Sequence, residues 1–150
     1  MRVYLVVIDE SQEAHAALRF AARRAADTNG AVHLLALVAR QDFSAFGAVQ
    51  ATIEEEAHDR AEVFANSAAG ELMSESGLMP QIAVRVGDGK TVIDEYLKEH
   101  AEVAALVLGA APEGNPGPLV SHFSACAGDL PCPLFIVPGG LSEEEIDRIS

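Results

Sequence analysis

The sequence predicts an α/β protein built on one open, parallel, five-stranded sheet with helices on both faces. Short apolar runs alternate with longer segments in which alanine and other apolar residues recur at helical spacing, and this alternation is typical of parallel sheets. Hydrophobic residues make up 49% of the 150 residues, which is enough for a single buried core. No internal repeat or low-complexity linker divides the chain, so we expect one domain.

The order of the elements follows from where apolar runs begin and where Gly, Pro and capping residues interrupt them. The short, continuous apolar runs are predicted as buried strands. These strands are 3–8, 31–38, 81–86, 104–108 and 133–137. The predicted helices begin after Ser11, after a loop over 39–48, after Gly87-Asp88-Gly89 and at about Leu119. The first two end at Asn29-Gly30 and Gly77, and the fourth ends at about Gly128. Glu54-Glu55-Glu56 is expected to open the second helix, where its charge complements the dipole, and a solvated helix face is the better account of these residues.

Charge and hydropathy exclude several classes of function. The net charge of −13 argues against a nucleic-acid partner, because such contacts need clustered Lys and Arg. The apolar run after Met1-Arg2 is too short for a signal peptide, and no stretch approaches the ~18 apolar residues of a membrane span. We therefore expect a cytoplasmic protein with no membrane contact. Cys126 and Cys132 are expected to be reduced, buried thiols, and the histidines lack ligand spacing, so no metal site is predicted.

The loop after the fourth strand, from Gly109 to Pro118, lies where open parallel sheets bind ligands. Its composition argues against a strong grip on phosphate. The prolines at 112, 116 and 118 have no N–H to donate, Glu113 repels anions, and the loop contains no Lys or Arg.

Four fragments, taken in order, resemble the universal stress protein family over residues 2–138. They are Val7-Ile8-Asp9-Glu10-Ser11, Val86-Gly87-Asp88, Leu106-Val107-Leu108-Gly109 and Leu130-Pro131-Cys132-Pro133-Leu134-Phe135-Ile136-Val137. The resemblance implies a flavodoxin-like, Rossmann-like sheet of order 3-2-1-4-5 in residues 1–138. It also implies a non-enzymatic stress-response protein that forms a homodimer, in a family of which one branch binds ATP and another does not. Residues 139–150 then form an acidic C-terminal tail, in which Ser142 and Glu145 predict a capping box and a short helix outside the five-strand unit.

In the ATP-binding branch, an Asp ending strand one and a Val ending strand two hold the adenosine, and a loop of pattern G-x2-G-x9-G-[ST] holds the phosphates. The resemblance, together with the glycines of the loop, gives a set of candidate cofactor-binding residues. They are Asp9, Val38, Gly109, Gly114, Gly117 and Ser121. The second glycine of the pattern falls on Pro112 unless Gly114 replaces it after a shift, and the final Gly-Ser becomes Val120-Ser121. We therefore expect an adenine nucleotide, ATP or AMP, to be held weakly and mainly through its adenosine part.

Each candidate also has a purely structural interpretation, and both remain open. Asp9 is suited to accept N–H bonds at the start of the first helix, the glycines to form a tight turn, and Ser121 to pair with the backbone. Other residues near the predicted site are candidates for accessory roles. Arg40 and Lys90 are the cations closest to it, Phe43 and Phe46 are candidates for a lid, and His122 is the nearest histidine.

The fifth strand predicts the interface of the homodimer. Leu134, Phe135, Ile136 and Val137 offer apolar side chains to both faces, and an unpaired edge of this kind favours pairing with a second copy.

Three alternative functions remain. The first is a family member that binds no nucleotide and acts by protein–protein contact. The second is a receiver-like phospho-acceptor, in which Asp9-Glu10 and Asp88 would act, although Pro138-Gly139 replaces the expected Lys after strand five. The third is a slow ATP hydrolase, which would lack a group to stabilise transition-state charge. No nucleophile elbow or acid/base pair is evident, so no catalytic residue is predicted.

Overall fold

The computed structural model describes residues 1–9, 11–38 and 47–150, and within them strands and helices alternate along the chain. The strands are β1 (Val3–Ile8), β2 (Ala31–Val38), β3 (Gln81–Val86), β4 (Val103–Ala110) and β5 (Leu134–Pro138). The α-helices are α1 (Gln12–Asp27), α2 (Gly47–Ser76), α3 (Gly89–Glu99), α4 (Pro118–Ala125) and α5 (Glu143–Ile149). A short 3₁₀ turn, Ala127–Asp129, follows α4.

The five strands form one parallel sheet in the order β3-β2-β1-β4-β5, which confirms the predicted architecture. β1 lies at the centre and is buried along its whole length. Its alternate residues face opposite sides of the sheet: Tyr4 and Val6 pack with α1 and α2, whereas Leu5 and Val7 pack with α3 and α4. The chain therefore changes faces between β1 and β4, and a crevice opens at their carboxyl ends.

Several element boundaries differ from the sequence prediction. β4 begins at Val103 rather than at 104, and it continues to Ala110 rather than ending at Leu108 because Gly109 and Ala110 pair with the end of β5. β5 begins at Leu134 and ends at Pro138, one residue later than expected. α4 ends at Ala125, and the predicted remainder forms the 3₁₀ turn. Glu54-Glu55-Glu56 lies inside α2 rather than opening it, because the helix begins at Gly47.

The sequence predicted a C-terminal helix outside the five-strand unit, but α5 packs against it. Ser142 and Glu145 form the predicted capping box at its start. Ile146 is nevertheless only 2% exposed and belongs to the hydrophobic cluster under α1 and α2. The acidic tail is therefore packed on the domain, and its apolar side chain extends the core.

Two predictions from composition concern membrane-spanning segments and the cysteines. In the described part of the chain, no helix is long and apolar enough to cross a membrane. Cys126 and Cys132 are free thiols, as expected, but both are half-buried rather than buried.

Candidate functional site

A small cavity lies at the crevice between the carboxyl ends of β1 and β4, where the first turns of α1 and α4 approach each other. Its volume is about 110 Å³. The residues that line it are Val7, Asp9, Ser11, Glu13, Ala14, Leu108, Gly109, Pro116, Gly117, Pro118, Leu119 and Val120. Three of the six predicted site residues, Asp9, Gly109 and Gly117, are therefore brought together on one wall.

Asp9 is exposed at the end of β1, and Ser11 holds its carboxylate in place. Oδ1 of Asp9 accepts the backbone N–H of Ser11 at 2.8 Å and also the Ser11 hydroxyl. Ser11 occupies the N-cap position of α1, as expected, but its side chain makes no capping bond to the helix because it turns to Asp9 instead. The structural role expected for Asp9 is thus present, and the carboxylate still lines the cavity.

Gly109 is a glycine because α1 approaches β4 too closely for any side chain. A Cβ at this position would lie 2.1 Å from the carbonyl oxygen of Glu13 and 2.6 Å from its carbonyl carbon. A Cβ at Gly139 would also collide with Glu13, at 2.6 Å from its Cβ. The first turn of α1 therefore packs closely against the ends of β4 and β5. This packing is sufficient to explain why residue 109 is a glycine.

The loop between β4 and α4 uses several of its own N–H groups internally. Ala111 N–H donates to the carbonyl of Pro116 at 3.1 Å, and Gly117 N–H donates to the side-chain oxygen of Asn115 at 2.9 Å. Gly114 and Gly117 have φ values of 71° and 115°, a region that favours glycine. These glycines shape the turn, and the N–H groups of Ala111 and Gly117 are used within the loop rather than offered to a phosphate.

The charges on the cavity wall are negative. Asp9 and Glu13 are acidic, and among the described residues that line the cavity there is no Lys, Arg or His. The first turn of α4 offers the N–H groups of Leu119 and Val120, which have no acceptor within the helix, and Gly117 has no side chain to cap them. The site therefore combines two acidic residues with two backbone donors.

The other predicted residues lie away from this wall. Val38 is buried, and its carbonyl accepts the N–H of Gly87 at 3.0 Å. Gly114 and Ser121 are exposed and do not line the cavity. Ser121 N–H donates to the Gly117 carbonyl at 3.0 Å, within the helix start.

The accessory candidates have separate outcomes. Lys90 is exposed and is not part of the cavity wall. His122 instead lies beside Cys126, with its Nε2 atom 3.8 Å from the thiol sulfur. Arg40, Phe43 and Phe46, and Glu10 of the first fragment, lie outside the described residues.

Sequence reasoning missed Ser11 and Glu13 as parts of the cavity wall. The available signal was Glu13, an acidic residue in the first turn of the helix that follows β1 and Asp9. Sequence reasoning also treated Asp88 as part of a turn, whereas it caps α3 by accepting the Thr91 N–H at 3.4 Å and its hydroxyl at 3.1 Å. Asp88 therefore has a structural role at the start of α3.

Asp9 also borders a second cavity, of about 270 Å³, between α1 and α2. Its walls are largely apolar and include Ile8, Leu18 and Phe64. His15 and Glu71 also line it, with Nδ1 of His15 3.5 Å from Oε2 of Glu71. The crevice thus has an apolar neighbour on the α1/α2 face of the sheet.

A group of potential metal ligands was not anticipated from the histidine spacing. His58, Asp59 and Glu62 bring their ligand atoms within 4.8 Å of one another on α2, and His58 lies 3.6 Å from Glu62. The i,i+4 spacing of His58 and Glu62 was the available signal. Exposed groups of this kind are common on helices, and the cluster by itself defines no metal site.

Comparison with known proteins gives a consistent result. The model of the universal stress protein family matches residues 1–138. A search of curated proteins gives no match. Among solved structures, the universal stress protein UspA from Lactobacillus plantarum matches with a TM-score of 0.74 and 21% identity, covering 91% of this chain and 97% of that one.

Two further matches are structures of ligand complexes. A universal stress protein family protein from Arabidopsis thaliana with AMP bound matches with a TM-score of 0.56 and 17% identity, covering 92% of each chain. The universal stress protein from Archaeoglobus fulgidus in complex with dAMP matches with a TM-score of 0.56 and 15% identity, covering 91% of this chain and 97% of that one. At these identities, the likeness of the solved structures establishes the fold.

Proposed function

Since this chain belongs to the universal stress protein family, we propose that it is a non-enzymatic, dimeric stress-response protein whose crevice binds the adenosine part of an adenine nucleotide. The observation that carries the proposal is the Asp9 carboxylate, which lines the cavity at the switch point of the sheet. Ligands of open α/β sheets bind at this point. The AMP and dAMP complexes of similar folds support an adenine compound as the ligand.

The affinity is expected to be weak and to owe little to phosphate. The loop has prolines at three positions, uses the N–H groups of Ala111 and Gly117 internally, and contributes no cation. The cavity of about 110 Å³ is also smaller than typical ligand pockets of roughly 300–1,000 Å³. The crevice therefore has to open to admit a nucleoside, and that opening costs part of the binding free energy.

A binding role fits the chemistry of the crevice better than catalysis. Hydrolysis of ATP develops negative charge on the transferred phosphoryl group, and an enzyme stabilises that charge with cations or aligned donors. The described wall presents the carboxylates of Asp9 and Glu13 instead. The two free thiols, Cys126 and Cys132, suit the reducing environment of the cytoplasm, which is the compartment we propose.

Calorimetric titration with ATP, ADP and AMP tests the proposed ligand. We expect weak binding of all three without a preference for ATP, and its loss in Asp9→Ala. Asp88→Ala is the matched control, because Asp88 also follows a strand at this edge of the sheet but caps α3. Equal losses in both variants would indicate a general effect on the fold, and tight, ATP-selective binding would contradict the proposal.

One observation favours a second candidate, a family member that acts by protein–protein contact without nucleotide. Gly109 is fully explained by its contact with Glu13, so the glycine gives no independent support for a ligand. In that case titrations with adenine compounds, adenosine included, produce no heat while the protein remains folded. Such a result would leave the edge strand β5 and the exposed faces of the helices as the functional surfaces.

A further inference from the structure

We propose that the crevice selects against phosphate charge, so that it binds adenosine more tightly than AMP, ADP or ATP, and that Glu13 is the residue that sets this order. The inference rests on the proposed function, because it concerns the ligand of the same crevice. It goes further in assigning a reversed order of affinity to one named side chain.

The first observation is the position of the two carboxylates at the start of α1. The N-terminus of a helix attracts anions, because its first N–H groups and the helix dipole carry partial positive charge. In this chain, Asp9 precedes α1 and Glu13 lies in its first turn, and both line the cavity. The protein's own anions therefore lie where a phosphate would otherwise benefit from the dipole.

The second observation is that these two acidic residues have no ion-pair partner among the residues that the structure describes. The bonds that Asp9 receives come from Ser11, which is uncharged. Each added phosphate therefore brings further negative charge towards two carboxylates without a described cationic partner, and at short range the repulsion raises the free energy of binding.

The third observation is that the backbone of Glu13 is held close to the ends of two strands. Its backbone carbonyl occupies the space beside Gly109, and its Cβ occupies the space beside Gly139. The close approach to two separate strands fixes the backbone of this residue. The side chain of Glu13 therefore starts from a fixed point beside the cavity, which Glu13 lines.

The test is a calorimetric series with adenosine, AMP, ADP and ATP at low and high salt, on the full chain. We expect ATP to bind roughly tenfold more weakly than adenosine at low salt, and the gap to narrow as salt screens the repulsion. Glu13→Gln, which keeps the shape of the side chain, should raise the affinity for ATP roughly threefold to tenfold and leave the affinity for adenosine unchanged. Glu95→Gln is the control, because Glu95 is exposed on α3 and does not line the cavity, and it should change neither value.

The outcomes separate this inference from the proposed function. Binding of ATP as tight as or tighter than that of adenosine would overturn the inference and leave an adenine-binding crevice in place. Equal gains in Glu13→Gln and Glu95→Gln would overturn the assignment to Glu13, because net charge alone would then explain the order. If adenosine and all three nucleotides fail to bind to the folded protein, the proposed function itself fails.

Discussion

Arg19 and Asp147 are separated by 128 positions in the sequence, yet they form a two-pronged ion pair that joins α1 to α5. Nε of Arg19 donates to Oδ1 of Asp147 and Nη2 donates to Oδ2, both at 2.8 Å. Glu75 of α2 also lies within 3.0 Å of the same guanidinium. With Ile146 buried beside this pair, the C-terminal helix is held to the domain by a planar, charge-assisted contact.

Replacing Asp147 with Asn is expected to loosen α5 and lower stability, because the side chain loses its charge and one of the two oxygens that accept from Arg19 becomes an NH₂ donor. The contact with Arg19 lowers the pKa of Asp147 below its ordinary value of 3.8, so the pair contributes stability above that pH and loses it as the pH falls. Urea unfolding at pH 7 should therefore separate wild type from Asp147→Asn, and the difference should shrink in high salt and in acid. Glu144→Gln, an exposed neighbour on the same helix, should behave like wild type; a similar loss in that variant would contradict a specific role for Asp147.

Gly109→Ala is expected to destabilise the fold by about 3 kcal/mol, because the new methyl group collides with backbone rather than with a movable side chain. The Cβ would lie 2.1 Å from the Glu13 carbonyl oxygen. Gly70→Ala is the matched control: Gly70 is in α2, and a Cβ there meets nothing within 4 Å. That substitution should stabilise by roughly 0.5–1 kcal/mol. Chemical denaturation measures both; unchanged stability in Gly109→Ala would mean that the glycine serves a ligand rather than packing.

His33, Tyr96 and His100 form a cluster near the amino-terminal end of β2, whereas the crevice lies at the carboxyl ends of the strands. His33 is 5% exposed, and its Nδ1 atom lies 2.9 Å from the Tyr96 hydroxyl. The ring of His100 stacks on Tyr96, with centroids 3.9 Å apart, and meets His33 edge-on. Burial lowers the pKa of His33 below its ordinary value of 6.5, and His100 lowers it further, against the opposing effect of Glu102.

Stability is expected to fall as the pH drops below about 6.5, because the folded protein holds His33 neutral while the unfolded chain takes up a proton. A group with a lowered pKa in the folded state contributes stability above its unfolded pKa and loses it as the pH falls towards the folded pKa. Urea unfolding between pH 7.5 and 5 would measure this slope. His33→Gln should flatten it, whereas His15→Gln, at an exposed position, should not. An unchanged slope in His33→Gln would place the pH dependence elsewhere.

The elements that could be predicted from the sequence are those bounded by Gly or Pro. β2 and β3 were predicted to the residue, because Gly30, Pro80 and Gly87 interrupt the chain beside clear apolar runs. The end of β4 was missed because Gly109 and Ala110 become strand only through their pairing with β5. Likewise, no short-range pattern indicates that Arg19 meets Asp147, so the packing of α5 could not be anticipated.

The sequence predicted that residues at the carboxyl ends of the strands would lie close together, but it did not predict all the residues of the cavity wall. Asp9, Gly109 and Gly117 meet at one cavity because parallel strands present their carboxyl ends at the same edge. Glu13 joins them only because α1 approaches Gly109 closely, and that distance depends on packing across the domain. A second carboxylate on the wall is therefore a property of the folded chain, which the spacing of residues in the sequence does not reveal.

The proposed homodimer makes the edge strand β5 the most direct place to test assembly. β5 pairs with β4 alone among the described strands, and Ile136 in it is 40% exposed. Ile136→Lys would place a charge on this edge, and we expect it to raise the Kd of the dimer roughly thirtyfold or more. Ile82→Lys is the matched control, because Ile82 is 37% exposed on the other edge strand, β3. Light scattering coupled to size-exclusion chromatography measures both; a dimer that persists in Ile136→Lys but dissociates in Ile82→Lys would move the interface to β3.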